Sequence, residues 1–535
     1  MRKAAVVVLC SVLGVLAIMA GEAQAQALTS LASLRTSYNT RKATVRPEGE
    51  LKAQIDAIDQ AIAAATRVGQ LGEVRRLMAK GQTLLAGRQW TPELDYSNSL
   101  VIRTEHVVAD STKAYAARLE QIYMPSIELA RSLTARPKLQ KRLPVAAAGN
   151  GTAAAAAGNG AATAGNAAPA FETIKEFGVL TGVGRDLRES PFQMELDVNG
   201  IPDGTYQLSV DVIDGDRSIA TANLSINLRK GLDQTVAQLE AAAAKAPEPL
   251  RAEILFPVDR MRNVNRGRLE MRTFDPDRDF AEAIATASAV TSGKNPFATK
   301  TGDFKRHYLL QTANEIMPYH MYVPKAYNGS RAYPLIIALH GLGGTEDSFF
   351  TGYDRKVPAL AEQHGYIVAA PLGYRVDGGY GWGLGQPPAD PVSRQSQQAS
   401  EDDVMQVLKI VREQYKIDDS RIYLMGHSLG AIGTWKVAPK FPDIWAAIAP
   451  FSGSGNADNL ERIKNVPEFV VHGDDDRTVN VRGSRTMVAK MKELGIEHKY
   501  VEVPGGSHSG VVAPNLAGAF EFFDAHKKGV KGTGN

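Results

Sequence analysis

The chain has one cysteine, Cys10. It lies inside an N-terminal apolar stretch that the sequence marks for removal, so the mature chain is expected to hold no thiol, no disulfide and no thiolate metal site. An excess of charge of one sign is also missing. Sixty-one Lys and Arg against 58 Asp and Glu leave a formal net charge of +3 over 535 residues. That balance offers no basic footprint for nucleic acid. No H-E-x-x-H pattern or Cys/His ligand spacing occurs, so neither a metal nor another cofactor is expected. Gly381-Trp382-Gly383 does not open a helix after a strand, which removes a dinucleotide loop. The roughly 40–50-residue repeats that build a propeller are absent as well.

The long hydrophobic run is at the N-terminus. Arg2 and Lys3 precede an apolar core over residues 4–20, and Ala23-Gln24-Ala25 supplies small residues at the positions a signal peptidase reads. Residues 1–25 are therefore read as a signal peptide cleaved before Gln26, which implies a secreted or periplasmic protein with no membrane span in the mature chain. The core is short for a spanning helix, which needs about 20 apolar residues.

At about 100–200 residues per domain the length implies several domains. Residues 28–95 carry helical spacing: Leu51, Ile55, Ile58 and Ile62, then Leu71, Val74, Leu77 and Met78, with a break bracketed by Gly69 and Gly72. Residues 96–230 turn to period two. Their clearest pair of runs is 192–198 and 204–213, followed by a third run at 220–228, separated by Pro202-Asp203-Gly204 and Asp214-Gly215. This reads as an antiparallel sandwich. Inside it, residues 145–170 hold 14 Ala, 5 Gly and 3 Asn, a composition read as a loop or linker. Residues 231–295 return to helix as a connector.

Residues 296–535 alternate continuous apolar runs with amphipathic stretches. Strands are expected at 335–339, 366–370, 421–425, 446–450, 468–471 and 500–503. A helix is expected over 401–415, with Val404, Val407, Leu408, Val411 and Tyr415 on one face. Apolar strands separated by helices imply an α/β fold, a mostly parallel sheet covered on both faces. Its functional groups belong at the carboxyl ends of the strands.

Gly426-His427-Ser428-Leu429-Gly430 follows the third of these strands and precedes a helical run, the context in which G-x-S-x-G holds an exposed nucleophile. A serine hydroxyl needs a base. His508 follows the last strand in Gly505-Gly506-Ser507-His508, where a glycine-rich loop can return an imidazole to the serine. A carboxylate must orient that imidazole. The loop after the preceding strand offers Asp474, Asp475 and Asp476, and spacing alone does not choose among them. His340-Gly341-Leu342-Gly343-Gly344 follows the first strand and suits an oxyanion loop, with the Leu429 N–H as the second donor. His340, His427 and His472 flank turns and are read as bracing residues. The stretch 373–400 reads as a 28-residue loop, long enough to be functional. In it, Trp382 and Tyr380 are expected to wall an acyl or aromatic substrate pocket, with packing of the loop as the alternative for Trp382.

Residues from about 305 to 528 resemble the α/β-hydrolase superfamily. They are similar to secreted carboxylesterases of the polyhydroxybutyrate depolymerase and feruloyl esterase type, and to prolyl-oligopeptidase-like peptidases. The stretches that carry the likeness are Leu339-His340-Gly341-Leu342-Gly343-Gly344, residues 426–435, Phe441-Pro442-Asp443, Pro450-Phe451-Ser452-Gly453 and His472-Gly473-x-x-Asp476-x-x-Val479. The resemblance puts the acid at Asp476 and the first oxyanion donor at Leu342. Ala431 stands where many members have glycine, and Asn480 where proline is frequent. The resemblance implies an exported serine hydrolase acting on small or polymeric carboxylic esters through an acyl-enzyme on Ser428. A serine peptidase is the alternative, and a binding protein on a retired hydrolase fold a third reading that the intact Ser428, Asp476 and His508 argue against. The sandwich resembles the immunoglobulin-like domains appended to some exported esterases.

Overall fold

In the computed structural model the described residues are 31–529 without 32, 33, 36, 130–132 and 144–169. The expected signal peptide with Cys10, and the Ala/Gly/Asn-rich loop apart from Ala170, lie outside them. Among the described residues the chain divides into two compact units, one of 31–242 with 257–285, the other of 243–256 with 286–529.

The first unit carries helices Gly49–Arg67 and Leu71–Leu85. Ile55, Ile58, Val74, Met78 and Leu85 close into a small core of their own, as their three- and four-residue spacing requires. Gly72 lies inside the second helix rather than in the break; it is glycine because a Cβ there would meet the Ile122 carbonyl oxygen at 2.4 Å. Two sheets follow. One runs Leu100–Thr104, Ala114–Gln121, Phe192–Asp197. The other runs Val108–Asp110, Arg217–Arg229, Gly204–Asp214, Leu133–Arg142, Phe171–Glu176, with Leu180–Val183 also on Leu133–Arg142. The hairpin across Asp214 to Arg217 forms as expected. Phe192–Asp197, however, pairs with Ala114–Gln121 and not with Gly204–Asp214. Pro202-Asp203-Gly204 therefore leads from one sheet to the other instead of joining two arms of one hairpin. Inward residues of both sheets, among them Leu119, Leu196, Leu139, Leu208 and Val210, share one core.

In the second unit eight strands form one sheet in the order Gly302–Leu310, Glu315–Val323, Ile367–Pro371, Tyr333–Leu339, Ile417–His427, Ala447–Phe451, Glu468–Gly473, His498–Val503. The first two strands are antiparallel to their neighbours and the rest are parallel. Along Tyr333–Leu339 the alternation splits between two cores. Leu335, Ile337 and Leu339 face Val404, Val407, Trp435 and Met491, while Ile336 and Ala338 face Val357, Leu516 and Phe520. Both faces are covered, which is why these strands read as continuous apolar runs. The strand order reverses around Tyr333–Leu339, so a crevice opens between its carboxyl end and that of Ile417–His427, the usual ligand position in such sheets. This is an α/β-hydrolase-like fold.

Candidate active site

Strand register brings the chemistry to one level. Leu339 lies opposite Gly426, and His427 opposite Phe451. Ser428 follows at once with φ +57° and ψ −117°, heading the helix Leu429–Lys440. A non-glycine residue in that region is strained by about 1–3 kcal/mol, a state that persists only where the surroundings enforce it. The enforcement is visible in the flanking glycines. A Cβ on Gly426 would lie 2.2 Å from the Gly430 carbonyl oxygen, and one on Gly430 would lie 1.9 Å from that of Leu339. Only a strand and helix bare of side chains at these two points can approach so closely. The Ser428 N–H donates to the Phe451 carbonyl at 2.9 Å, and the residue keeps 9% exposure.

His508 meets Ser428 from the loop after the last strand. Its Nε2 lies 2.8 Å from Ser428 Oγ, and its Nδ1 2.7 Å from Asp476 Oδ2. Of the three aspartates in the loop after Glu468–Gly473, Asp476 alone reaches the imidazole. Asp474 accepts the Gly505 N–H at 2.6 Å, and Asp475 pairs with Arg477 at 3.0 Å. Asp476 also accepts the N–H groups of Thr478 and Val479 and lies 3.0 Å from His472 Nε2. Burial opposes its charge, but His472, His508 and the Val479 N–H outweigh burial and hold the carboxyl well below the usual carboxylate range. An imidazole held this way has a fixed tautomer: Nδ1 carries the proton toward the carboxylate and Nε2 faces the hydroxyl.

The loop after Tyr333–Leu339 closes over the serine. A side chain on Gly341 would come within 3.2 Å of Ser428 Cβ. Leu342 lies in this loop, and Leu429 is the first residue of the helix that follows Ser428. His340 is wholly buried and braces this loop, with Nε2 2.6 Å from the Leu372 carbonyl oxygen; burial lowers its pKa. His472 is likewise buried, with Nδ1 2.7 Å from Ser484 Oγ.

Tyr380, expected at a pocket wall, is instead fully buried and donates its hydroxyl to the His340 carbonyl at 2.9 Å, so it props the 340–344 loop from behind. Trp382 is half-buried with the Lys440 ammonium 5.2 Å from its ring centroid, and Lys440 lies at the far end of the helix from Ser428, roughly 18 Å along it. The expected 28-residue loop is also shorter. A helix starts at Pro391, with Asp390 capping the Ser393 N–H at 2.7 Å, an Asp-Pro start signal that the sequence reading passed over. Three supporting residues escaped the sequence reading altogether: Tyr353, whose hydroxyl bonds His427 Nδ1; Ser452, whose hydroxyl bonds the His508 carbonyl; and Asp403, which accepts the Tyr374 N–H. Only Ser452 had a signal, as part of Pro450-Phe451-Ser452-Gly453.

Comparison with known proteins agrees with the fold of the C-terminal unit. Residues 311–509 match the family described as Putative esterase. Feruloyl esterase B of Talaromyces stipitatus is 32% identical over 136 residues, covering 25% of this chain and 35% of that protein. A bifunctional acetylxylan esterase/xylanase of Neocallimastix patriciarum is 29% identical over 161 residues, covering 30% and 22%. A probable dipeptidyl-peptidase 5 of Aspergillus terreus is 23% identical over 274 residues, covering 44% and 36%. The chain thus spans about a fifth to just over a third of the length of these relatives. The resemblance to α/β-hydrolase carboxylesterases holds for the C-terminal unit.

Proposed function

We propose that the protein is an exported serine hydrolase that cleaves carboxylic esters through an acyl-enzyme on Ser428. One observation carries the reading: Asp476, His508 and Ser428 stand in an unbroken line of hydrogen bonds at 2.7 and 2.8 Å. Ser428 Oγ attacks the ester carbonyl while His508 Nε2 takes its proton. The tetrahedral oxyanion accepts the N–H groups of Leu342 and Leu429, and Asp476 stabilises the imidazolium. The C–O bond to the alcohol then breaks, with His508 returning the proton to the leaving oxygen. Water, deprotonated by the same imidazole, hydrolyses the acyl-serine and releases a carboxylic acid. No cofactor enters any step.

The names of the two esterase relatives favour an ester over an amide. The dipeptidyl-peptidase relative supports a peptidase as the second reading, since the same triad serves both. In this reading residues 1–25 are a signal peptide, the N-terminal unit is an accessory module of immunoglobulin-like type, and Trp382 is the remaining candidate for substrate contact. Turnover of short p-nitrophenyl esters against peptide p-nitroanilides, with Ser428→Ala as control, tests it. Ester turnover that depends on Ser428 supports the esterase, anilide turnover alone the peptidase, and neither a retired fold.

A further inference from the structure

The imidazole of His508 has its two partners in Asp476 and Ser428, but what fixes the backbone that carries it is a separate matter. Its loop is glycine-rich, with Gly505, Gly506 and Gly510 around it, and has little side-chain bulk to hold it. The carbonyl oxygen of His508 is its tether. It accepts Ser452 Oγ at 2.8 Å and His427 Nε2 at 3.1 Å. A carbonyl oxygen only accepts, so His427 Nε2 carries the proton and Nδ1 is left as an acceptor. The Tyr353 hydroxyl fills it at 2.8 Å.

The geometry on the Tyr353 side is costly. Tyr353, Asp354 and Arg355 have φ of +49°, +58° and +53°, three consecutive non-glycine residues in the left-handed region. A chain adopts such a run only where the surroundings hold it. What it achieves here is to place the Tyr353 ring at 5.6 Å and 82° to His427, against Phe349 at 5.0 Å, with the hydroxyl on the imidazole. Ser452, with φ +53° and no exposure, is placed with comparable strain on the other side. His427 is the residue before the nucleophile and its ring lies 4.8 Å from that of His508, so it links the nucleophile's strand to the base's loop.

We propose that Tyr353 and His427 are positioning residues, a hydroxyl-to-imidazole brace that acts on catalysis through the backbone carbonyl of His508. Ser452 is the second strut of the same tether. The proposal rests on the serine-hydrolase reading above. Its consequence follows from the sensitivity of proton transfer to placement, since a shift of about 1 Å costs on the order of 100-fold in rate. A slack loop leaves the ester bound as before but sets the imidazole badly between Asp476 and Ser428.

The test uses the full mature chain, with two readouts: steady-state hydrolysis of a short p-nitrophenyl ester, and the rate of covalent capture by an alkyl fluorophosphonate, which asks only for an activated serine. His427→Phe is expected to lower kcat and the capture rate by about 10- to 100-fold with KM within twofold, at an unchanged circular-dichroism spectrum. Tyr353→Phe should lower both by about 3- to 10-fold. His427→Gln, whose amide can donate to the carbonyl and accept from the tyrosine, should recover most of the loss. Folded His427→Phe with both rates within twofold of wild type overturns the brace, and so does a His427→Gln no better than His427→Phe. If His427→Phe does not fold, Tyr353→Phe decides: rates within twofold overturn it. Wild type inert to both reagents sinks the hydrolase reading and the brace with it, whereas capture without ester turnover removes only the ester and leaves the brace testable by capture.

Discussion

Glu253 and Arg306 form an ion pair buried within the C-terminal unit, although 53 residues separate them in sequence. Arg306 Nε lies 2.5 Å from Glu253 Oε1, and His307 Nδ1 lies 2.8 Å from Glu253 Oε2. Their side chains keep 5% and 1% exposure for Arg306 and Glu253. Phe256 stacks on the His307 ring at 3.9 Å. Burial alone would raise the Glu253 carboxyl, but His307 and Arg306 outweigh it and hold the group below its ordinary value. A domain boundary at residue 296, as composition suggests, would strip this acid from the strand it neutralises.

Removing one member of a buried pair leaves an uncompensated charge, at a cost of about 3–5 kcal/mol. Glu253→Ala should therefore lower the melting temperature by on the order of 10 °C. A fragment beginning at Asp303 should be insoluble or unfolded, because it lacks Glu253. Soluble, cooperative unfolding of the Asp303 fragment, followed by circular dichroism, would contradict this.

The sheet and the site were legible to different degrees. Five of the six parallel strands were plain because both faces are buried, and the edge strand His498–Val503, only partly buried, showed by its apolar run alone. Gly302–Leu310 and Glu315–Val323 were not plain, since the first carries Lys305 and Arg306, whose partners Glu346, Asp347 and Glu253 are distant in sequence. Leu133–Arg142 hid behind Pro137. It is tolerated because Phe171–Glu176 covers only 138–142 and Leu180–Val183 only 133–135, so the missing N–H falls in the gap between two partners. Ser428 and His508 stood out as candidates at strand ends. No single partner for His508 did, because Asp474, Asp475 and Asp476 differ only in which way a turn points them. Tyr380 was misread because an aromatic in a glycine-rich loop gives no sign of its depth.

Ser428→Ala should leave the melting temperature within about 2 °C and reduce kcat/KM for a short ester by at least about 1000-fold, since the oxyanion donors and binding remain. Activity within tenfold of wild type would remove Ser428 as nucleophile.

The three aspartates should separate. Asp476→Asn is expected to cost on the order of 10,000-fold in kcat, because an amide favours the wrong imidazole tautomer. Asp475→Asn should stay within about twofold. Asp474→Asn gives up its charge on the Gly505 N–H and should cost a few-fold through the His508 loop. Because the Asp476 carboxyl is held low, its stabilising contribution is present above the unfolded value of about 3.9 and is lost only as pH falls through the lower folded value. Ester turnover should therefore show no acid limb assignable to Asp476 between pH 4 and 7, which a pH series with the Asn variant as reference checks.

A different carboxyl should contribute to the pH dependence of stability with the opposite sign. Glu468 is fully buried at the start of its strand, and burial pushes it up to about 8, moderated by the bond from Trp435 Nε1 at 2.8 Å. Its second oxygen has no partner among the described residues. In the unfolded chain the group ionises near 4.5; in the folded chain it stays protonated to about 8. Below the unfolded value neither state is charged and there is no penalty. As pH rises from about 4.5 to 8 the unfolded chain alone releases the proton, so stability falls across that window and is level above it. Glu468→Gln keeps an acceptor for Trp435 and cannot ionise, so its unfolding midpoint should not share that decline. The variant should match wild type within about 1 kcal/mol at pH 5 and exceed it by on the order of 2–3 kcal/mol at pH 8.5. Urea unfolding of both chains at the two pH values reads the difference directly, and parallel pH profiles would show that Glu468 enters the folded core already ionised.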